Sequence, residues 1–303
     1  MNQKARIGVI GAGLMGHGIA QVFAVAGHDV AITDPSPQAR ASAPERIAEN
    51  LAATGRDPAA LSRVSIAPDN GAAVANADVV IEAAPENMEL KQALFAELDA
   101  LAPAHAILAS NTSVMPITEI MQRVKDKSRA LGTHWWNPPF LVPLVEVVRT
   151  AHVSDATVTQ MIDLLRAVGK TPVEVKKDVP GFVGNRLQHA LWREAIAIVA
   201  EGICDAETVD MVVKSSFGRR LAVLGPLENA DMIGTDLTLA IHAQVLPHID
   251  STPAPSPYLE ALVGGGKLGF KSGEGFRVWS DEEIAALRRT LIDHLMRSAT
   301  DRT

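Results

Sequence analysis

Short apolar, β-branched runs alternate with longer amphipathic stretches through the first half of the chain. The runs at 6–10, 30–33, 64–67, 78–83, 106–109, 130–133, 144–149 and 172–176 predict strands. The stretches at 14–26, 88–101 and 154–168 carry helical periodicity, and the last has Ser154 as N-cap and Gly169 as its stop. Strands regularly separated by helices predict an α/β doubly wound, mostly parallel sheet. The run Lys176-Lys177-Asp178-Val179-Pro180-Gly181 breaks this alternation, and beyond it the pattern is mostly helical. Two domains follow from that break, an α/β domain over 1–178 and an all-α C-terminal domain over 179–303. Within 185–203, Leu187, Leu191 and Ile198 share one helical spacing, and Trp192, Ile196, Val199 and Ile203 share another. Apolar residues on more than one side predict a helix buried by its own domain or by a second subunit.

Composition narrows the picture. A chain of 303 residues is long enough to bury a large core without disulfides or metals. Lys plus Arg number 28 against 35 Asp plus Glu, a net charge of −7, which disfavours a dedicated nucleic-acid or anionic-membrane binder. Cys204 is the single cysteine, so an internal disulfide and a multi-cysteine zinc site are excluded, and no metal site is expected. A reducing, cytoplasmic setting fits that usage. The apolar run at 7–26 resembles a targeting segment, but Gly11, Gly13, Gly16 and Gly18 interrupt it and a strand-like stretch follows directly.

The run Gly11-Ala12-Gly13-Leu14-Met15-Gly16 closes the first strand and opens the first helix. Glycines there allow a tight turn and close backbone approach, and the helix N-terminus offers N–H groups to a pyrophosphate. Asp34 ends the second strand, where a carboxylate binds ribose hydroxyls and repels a 2′-phosphate. No lysine or arginine lies between Gly27 and Gln38. A Rossmann-type domain binding NAD rather than NADP is the expectation.

Oxidising an alcohol with NAD requires a base for the hydroxyl proton, and histidine is well poised for it. Of nine histidines, His134 stands out because it follows the predicted strand at 130–133, where the crevice of an open α/β sheet lies. Glu146 sits within the apolar run Leu144-Val145-Glu146-Val147-Val148. Either it partners a buried group such as His134, or it faces water on an edge strand. Trp135 and Trp136 are packing residues, or one of them walls a substrate pocket. Ser110-Asn111-Thr112-Ser113, at the C-terminal end of another strand, and Asn185 are further polar candidates.

Seven stretches in order resemble the 3-hydroxyacyl-CoA dehydrogenase family: GAGLMGHGIA, PENMELK, SNTS, HWWNPP with LVEVV, DVPGFVGNRL, GPLENADMIGTD and KLGFKSGEGF. The resemblance implies that His134 is the catalytic base, oriented by Glu146, with Ser113 and Asn185 at the substrate's hydroxyl and carbonyl region. It places Asn137 beside the nicotinamide. Glu86, Lys91 and Lys271 join Gly11, Gly13, Leu14, Met15, Gly16 and Asp34 around NAD. It also implies oxidation of an L-3-hydroxyacyl substrate, of 3-hydroxybutyryl-CoA type, to the 3-keto product, by a homodimer paired through its helical domain.

Two departures bear on the substrate. No lysine occurs between Lys4 and Lys91, where acyl-CoA members usually place lysines toward CoA; Arg40, Arg46, Arg56 and Arg63 stand in that segment instead. The segment Phe217-Gly218-Arg219-Arg220-Leu221-Ala222-Val223-Leu224-Gly225-Pro226 and the HWWNPP motif are more similar to relatives acting on free hydroxy acids. Those relatives are the gulonate dehydrogenase/lambda-crystallin group, carnitine dehydrogenase and a pyridine-carboxylate dehydrogenase. Arg219 and Arg220 then clamp a substrate carboxylate, or form a solvated pair on a loop. The lambda-crystallin likeness keeps a non-catalytic NAD-binding protein as the alternative of another class. The 6-phosphogluconate/3-hydroxyisobutyrate group shares the glycine loop but relies on a lysine in its helical domain.

Overall fold

The computed structural model describes residues 4–300. One sheet of eight strands organises the first compact unit, which comprises residues up to Arg186 together with the stretch from Ile292. Its strands are β1 (Arg6–Ile10), β2 (Asp29–Thr33), β3 (Val64–Ile66), β4 (Val79–Glu82), β5 (Ile107–Ser110), β6 (Ala130–Trp135), β7 (Leu144–Val148) and β8 (Thr171–Val175). The helices of this unit are α1 (Leu14–Val25), α2 (Pro37–Ala53), α3 (Asn70–Val74), α4 (Met88–Leu101), α5 (Ile117–Ile120) and α6 (Asp155–Ala167). Strand order is β3-β2-β1-β4-β5-β6-β7-β8, parallel except for the β6–β7 pair. The order reverses between β1 and β4, and a doubly wound sheet opens its ligand crevice at such a point.

The 7–26 run is β1 followed by α1, and both are largely buried. Helix α6 starts on Ser154, whose Oγ accepts from Thr157 N at 3.1 Å. Alternation along each strand sends side chains to two separate cores. Val9, Ile81, Ala109, Leu131, Trp135, Val145 and Val147 join one core, with residues of α1, α2 and α6. Ile10, Val80, Leu108, Ala130 and Val148 join the other, with residues of α4 and α5. This parity decides where the polar residues of β4 to β7 point.

The second compact unit runs from Leu187 to Leu291 and is helical. It holds most of α7 (Gly184–Ala200), then α8 (Ala206–Ser215), α9 (Pro226–Ile233), α10 (Thr235–Val245), α11 (Pro257–Gly264) and the start of α12 (Asp281–Thr300). The expected division at 178 falls inside the first unit, because Gly181 N and Asn185 bond back to Val114 O and Ser113 O. The end of α12 also groups with the first unit rather than with the helical one. The helix expected at 185–203 forms, but within the single chain it is not buried: Asn185 is its one buried residue. Leu187, Leu191 and Trp192 are exposed along it.

Candidate active site

Gly11 leaves β1 at φ +104, and Gly13 caps α1 with no side-chain hydrogen bond, so the first-turn N–H groups remain open to a ligand. Gly16 is obligatory, since a Cβ there would lie 1.7 Å from Gly11 O. Leu14 is exposed and Met15 half-buried on that turn. Asp34, past the end of β2, accepts from Ala12 N through Oδ2 (2.8 Å) and from Ser36 N through Oδ1 (2.8 Å). The acid therefore fixes the loop it faces. Two residues not foreseen brace the loop from below. His17 Nδ1 donates to Gly13 O at 2.6 Å, and Arg46 Nη2 donates to Ala12 O at 2.5 Å. Burial, helped by the Arg46 charge and opposed by the bond to Gly13, holds the His17 imidazole below its ordinary pKa and so neutral. A glycine cradle with open N–H groups and an adjacent carboxylate at the end of β2 fits NAD.

A row of polar side chains crosses the α4 side of the sheet toward its carboxyl edge. Glu82 ends β4, Ser110 ends β5, and His134 and Glu146 follow on β6 and β7. Register aligns them: Glu82 pairs with Ser110, and His134 with Glu146. Glu82 and Lys91 are both 0% exposed, with Lys91 Nζ donating to Glu82 Oε1 at 2.6 Å and to Ala84 O at 3.1 Å. Ser110 Oγ donates to Glu82 Oε2 at 2.6 Å. Ser110 belongs to the polar run expected from the sequence, but Glu82 was not singled out; an acid ending a buried strand nine residues before a buried lysine was the available signal.

His134 lies inside β6 rather than after it, with Nδ1 2.8 Å from Glu146 Oε2. A carboxylate only accepts, so Nδ1 carries a proton, and in the neutral ring Nε2 is the nitrogen with the lone pair. Glu146 is fully buried, which removes the water-facing alternative. Its other oxygen accepts from Val183 N (2.9 Å) and Gly184 N (3.1 Å), at the start of α7. Burial raises the carboxyl's pKa, but the bonds from His134, Gly184 and Val183 outweigh it, and the net shift is downward. The chain reaches that position through two consecutive left-handed residues, Gly181 at φ +75 and Phe182 at φ +49. Such a conformation costs a non-glycine residue energy and marks a place the surroundings over-determine. Phe182 and Trp136 flank the imidazole at 5.6 and 5.3 Å between ring centroids. Gly184 makes room for that wall, because a Cβ there would lie 2.4 Å from Trp136.

The remaining sequence candidates divide. Glu86 accepts from Thr112 Oγ1 (2.8 Å) and Ser113 N (2.6 Å), 3.8 Å from Lys91 Nζ. Asn185 Nδ2 donates to Ser113 O at 2.7 Å. Asn111 Oδ1 accepts from Trp135 N at 2.9 Å, joining that loop to β6 beside His134. Asn137 is exposed, at a cis bond to Pro138. Trp135 requires correction. Its neighbour His134 faces the α4 side, so strand parity turns Trp135 to the opposite core, edge-on to Phe23. It is not a wall of the His134 site. Lys271, Arg219 and Arg220 belong to the second unit and are exposed there. Among the described residues no cluster of three His, Cys, Asp or Glu is placed to hold a metal ion, and no helix is long and apolar enough to cross a membrane.

Residues 6–179 match the model of the 3-hydroxyacyl-CoA dehydrogenase NAD binding domain, and 181–279 match that family's C-terminal domain. The chain belongs to the 3-hydroxyacyl-CoA dehydrogenase family. It is therefore an NAD-dependent oxidoreductase acting on CH–OH groups. Family relatives include 5-formyl-3-hydroxy-2-methylpyridine 4-carboxylate 5-dehydrogenase of Mesorhizobium japonicum, 37% identical over 93% of each chain. A probable 3-hydroxybutyryl-CoA dehydrogenase of Bacillus subtilis is 40% identical over 89% of this chain and 96% of its own. Among solved structures, that of a 5-formyl-3-hydroxy-2-methylpyridine 4-carboxylic acid 5-dehydrogenase, described as an NAD+ dependent dismutase, matches with TM-score 0.91 at 34% identity, covering 98% and 97% of the two chains. The (S)-3-hydroxybutyryl-CoA dehydrogenase of Ralstonia eutropha matches with TM-score 0.76 at 34% identity, covering 92% and 100%.

Proposed function

We propose that this family member oxidises the hydroxyl of a small free hydroxy acid, with His134 as base and Glu146 as its orienting partner. Bound NAD supplies the hydride acceptor. His134 takes the hydroxyl proton on Nε2, the nitrogen that Glu146 leaves free. The imidazolium that results is stabilised by the Glu146 carboxylate, which the Val183 and Gly184 N–H groups hold in its charged form. Trp136 and Phe182 keep water from the ring. Ser113 and Asn185, tied to each other, flank the substrate's oxygens. The glycine loop from Gly11 to Gly16, with Asp34, Glu86 and Asn137, holds the cofactor, and Lys91 supports Glu86 from within.

The disposition of basic side chains carries the free-acid reading. Helix α2 brings only Arg40 and Arg46 near the ribose end of the cofactor, and both are engaged inward, on Asp34 O and on Ala12 O. Arg56 follows the far end of α2, a 17-residue helix roughly 25 Å long. Arg63 immediately precedes β3, at the amino edge of the sheet. No arginine of that segment is left to replace the missing lysines toward CoA phosphates. The full-length likeness to a pyridine-carboxylate dehydrogenase supports the same reading. A CoA thioester remains the second reading, favoured by the 40% identity to a probable 3-hydroxybutyryl-CoA dehydrogenase. NADH formation with aromatic hydroxymethyl acids, gulonate, carnitine and 3-hydroxybutyrate, set against 3-hydroxybutyryl-CoA, separates them. Faster turnover of the thioester refutes the free-acid assignment.

The apolar surface of the helical unit supports a homodimer. Helices α8 to α11 contain no buried residue in the single chain, and Val223 (89%), Leu227 (80%) and Leu239 (72%) lie open. So much exposed apolar area on one unit marks an interface.

A further inference from the structure

A cavity of about 540 Å³ opens within the first unit, away from the glycine loop and from His134. The later turns of α1, the residues after α2, the β6–β7 loop, the end of α6 and the end of α12 surround it. Its walls are mostly apolar, as at Val25, Phe140 and Leu295, and its charged lining residues are Arg56 and Lys170, with no acid among them. That is unusual on a chain of net charge −7.

Lys170 is held there without a counter-charge. Its Nζ donates to Pro139 O and to Val142 O, and lies 5.4 Å from the centroid of the Trp135 ring. An ammonium has three donors, so one remains. Among the described residues no carboxylate forms an ion pair with it, and burial lowers its pKa to about 8. Gln21 supplies a second, independent sign. It is 1% exposed and lines the same cavity, and its Oε1 has no hydrogen-bond partner among the described residues. Buried polar groups are ordinarily satisfied. A planar amide reads either way round, so it offers N–H to a carboxylate oxygen as readily as it accepts a hydroxyl.

We propose that this cavity is a second binding site, separate from the catalytic one, for a small carboxylate with an apolar body. The carboxylate takes the remaining donor of Lys170 and the Gln21 amide, while the body lies against Val25, Phe140 and Leu295. Arg56 attracts the anion at the rim. The cavity's size is that of ordinary small-molecule sites. Because Lys170 sits against Trp135, the residue after His134, occupation bears on the strand that carries the base.

Calorimetric titration of the full, NAD-loaded chain with octanoate, and with octanamide as its neutral counterpart, tests this. Octanoate is expected to bind saturably, and octanamide about tenfold or more weaker, as loss of a charge-assisted bond implies. Lys170→Met and the cavity-filling Ala167→Trp are each expected to weaken octanoate about tenfold or more, while His134→Ala leaves its affinity unchanged. Absence of saturable binding overturns the proposal, as does octanoate affinity unaltered in both cavity variants. Loss in His134→Ala with retention in Lys170→Met also overturns it, by placing the acid in the catalytic site.

Discussion

His134 and Glu146 are register partners on the one antiparallel strand pair of the sheet, with Nδ1 2.8 Å from Oε2. The sheet reverses direction at that pair, so the base and its acid face each other across two backbones rather than across flexible loops. Glu146→Gln keeps the shape but removes the charge that stabilises the imidazolium. It is expected to lower kcat about 10²-fold or more, with NAD affinity unchanged, by steady-state rates and cofactor titration.

The same carboxylate gives stability a pH signature. Its folded pKa lies below the unfolded value of 4.5. Its stabilisation is therefore fully present above 4.5 and is lost as pH falls through the lower folded value. Urea midpoints of wild type and Glu146→Gln should differ most above pH 5 and converge as the medium becomes more acidic. A gap that widens with acidification contradicts the assignment.

Lys91 and Glu82 form a wholly buried ion pair, at 0% exposure each. Removing one partner leaves a buried charge, so Lys91→Met should destabilise the chain by about 3–5 kcal/mol. Adding Glu82→Gln should recover part of that loss, a non-additivity that a double-mutant cycle by urea unfolding measures.

Asp34 bonds Ala12 N, and in the proposed function the same carboxylate takes the ribose hydroxyls of NAD. Asp34→Ala should raise the KM for NAD and narrow the preference over NADP, both read from initial rates. An unchanged NAD/NADP ratio removes the ribose role.

The exposed apolar surface of α8 to α11 predicts a dimer in solution. Sedimentation equilibrium should give twice the chain mass of 32.2 kDa. Leu239→Glu should shift the boundary toward monomer.

Each of the eight strands appears within about a residue or two of its expected place, the inner ones because burial on both faces leaves continuous apolar runs and the exposed edge strands β3 and β8 through their β-branched residues. The glycine turn between β1 and α1 and the position of Asp34 past the end of β2 were legible because a strand–turn–helix junction is set by local sequence. Trp135 was misread because His134 was placed after the strand; inside it, parity sends neighbours to opposite faces. Glu82 went unnoticed because its partners, Lys91 and Ser110, come from α4 and β5, and the lysine nine residues on is the one local hint of that contact. Arg46 braces Ala12 from 34 residues away for the same reason. The helix at 185–203 carries the expected apolar pattern, but its own domain does not cover it, and a pattern on one chain does not say which chain buries it.

The most direct measurement is NADH formation by His134→Ala alongside NAD binding by the same variant. Turnover of any hydroxy-acid substrate is expected to fall about 10²–10⁴-fold, the usual contribution of a general base, with the NAD dissociation constant unchanged. Turnover at the wild-type rate would contradict His134 as the base.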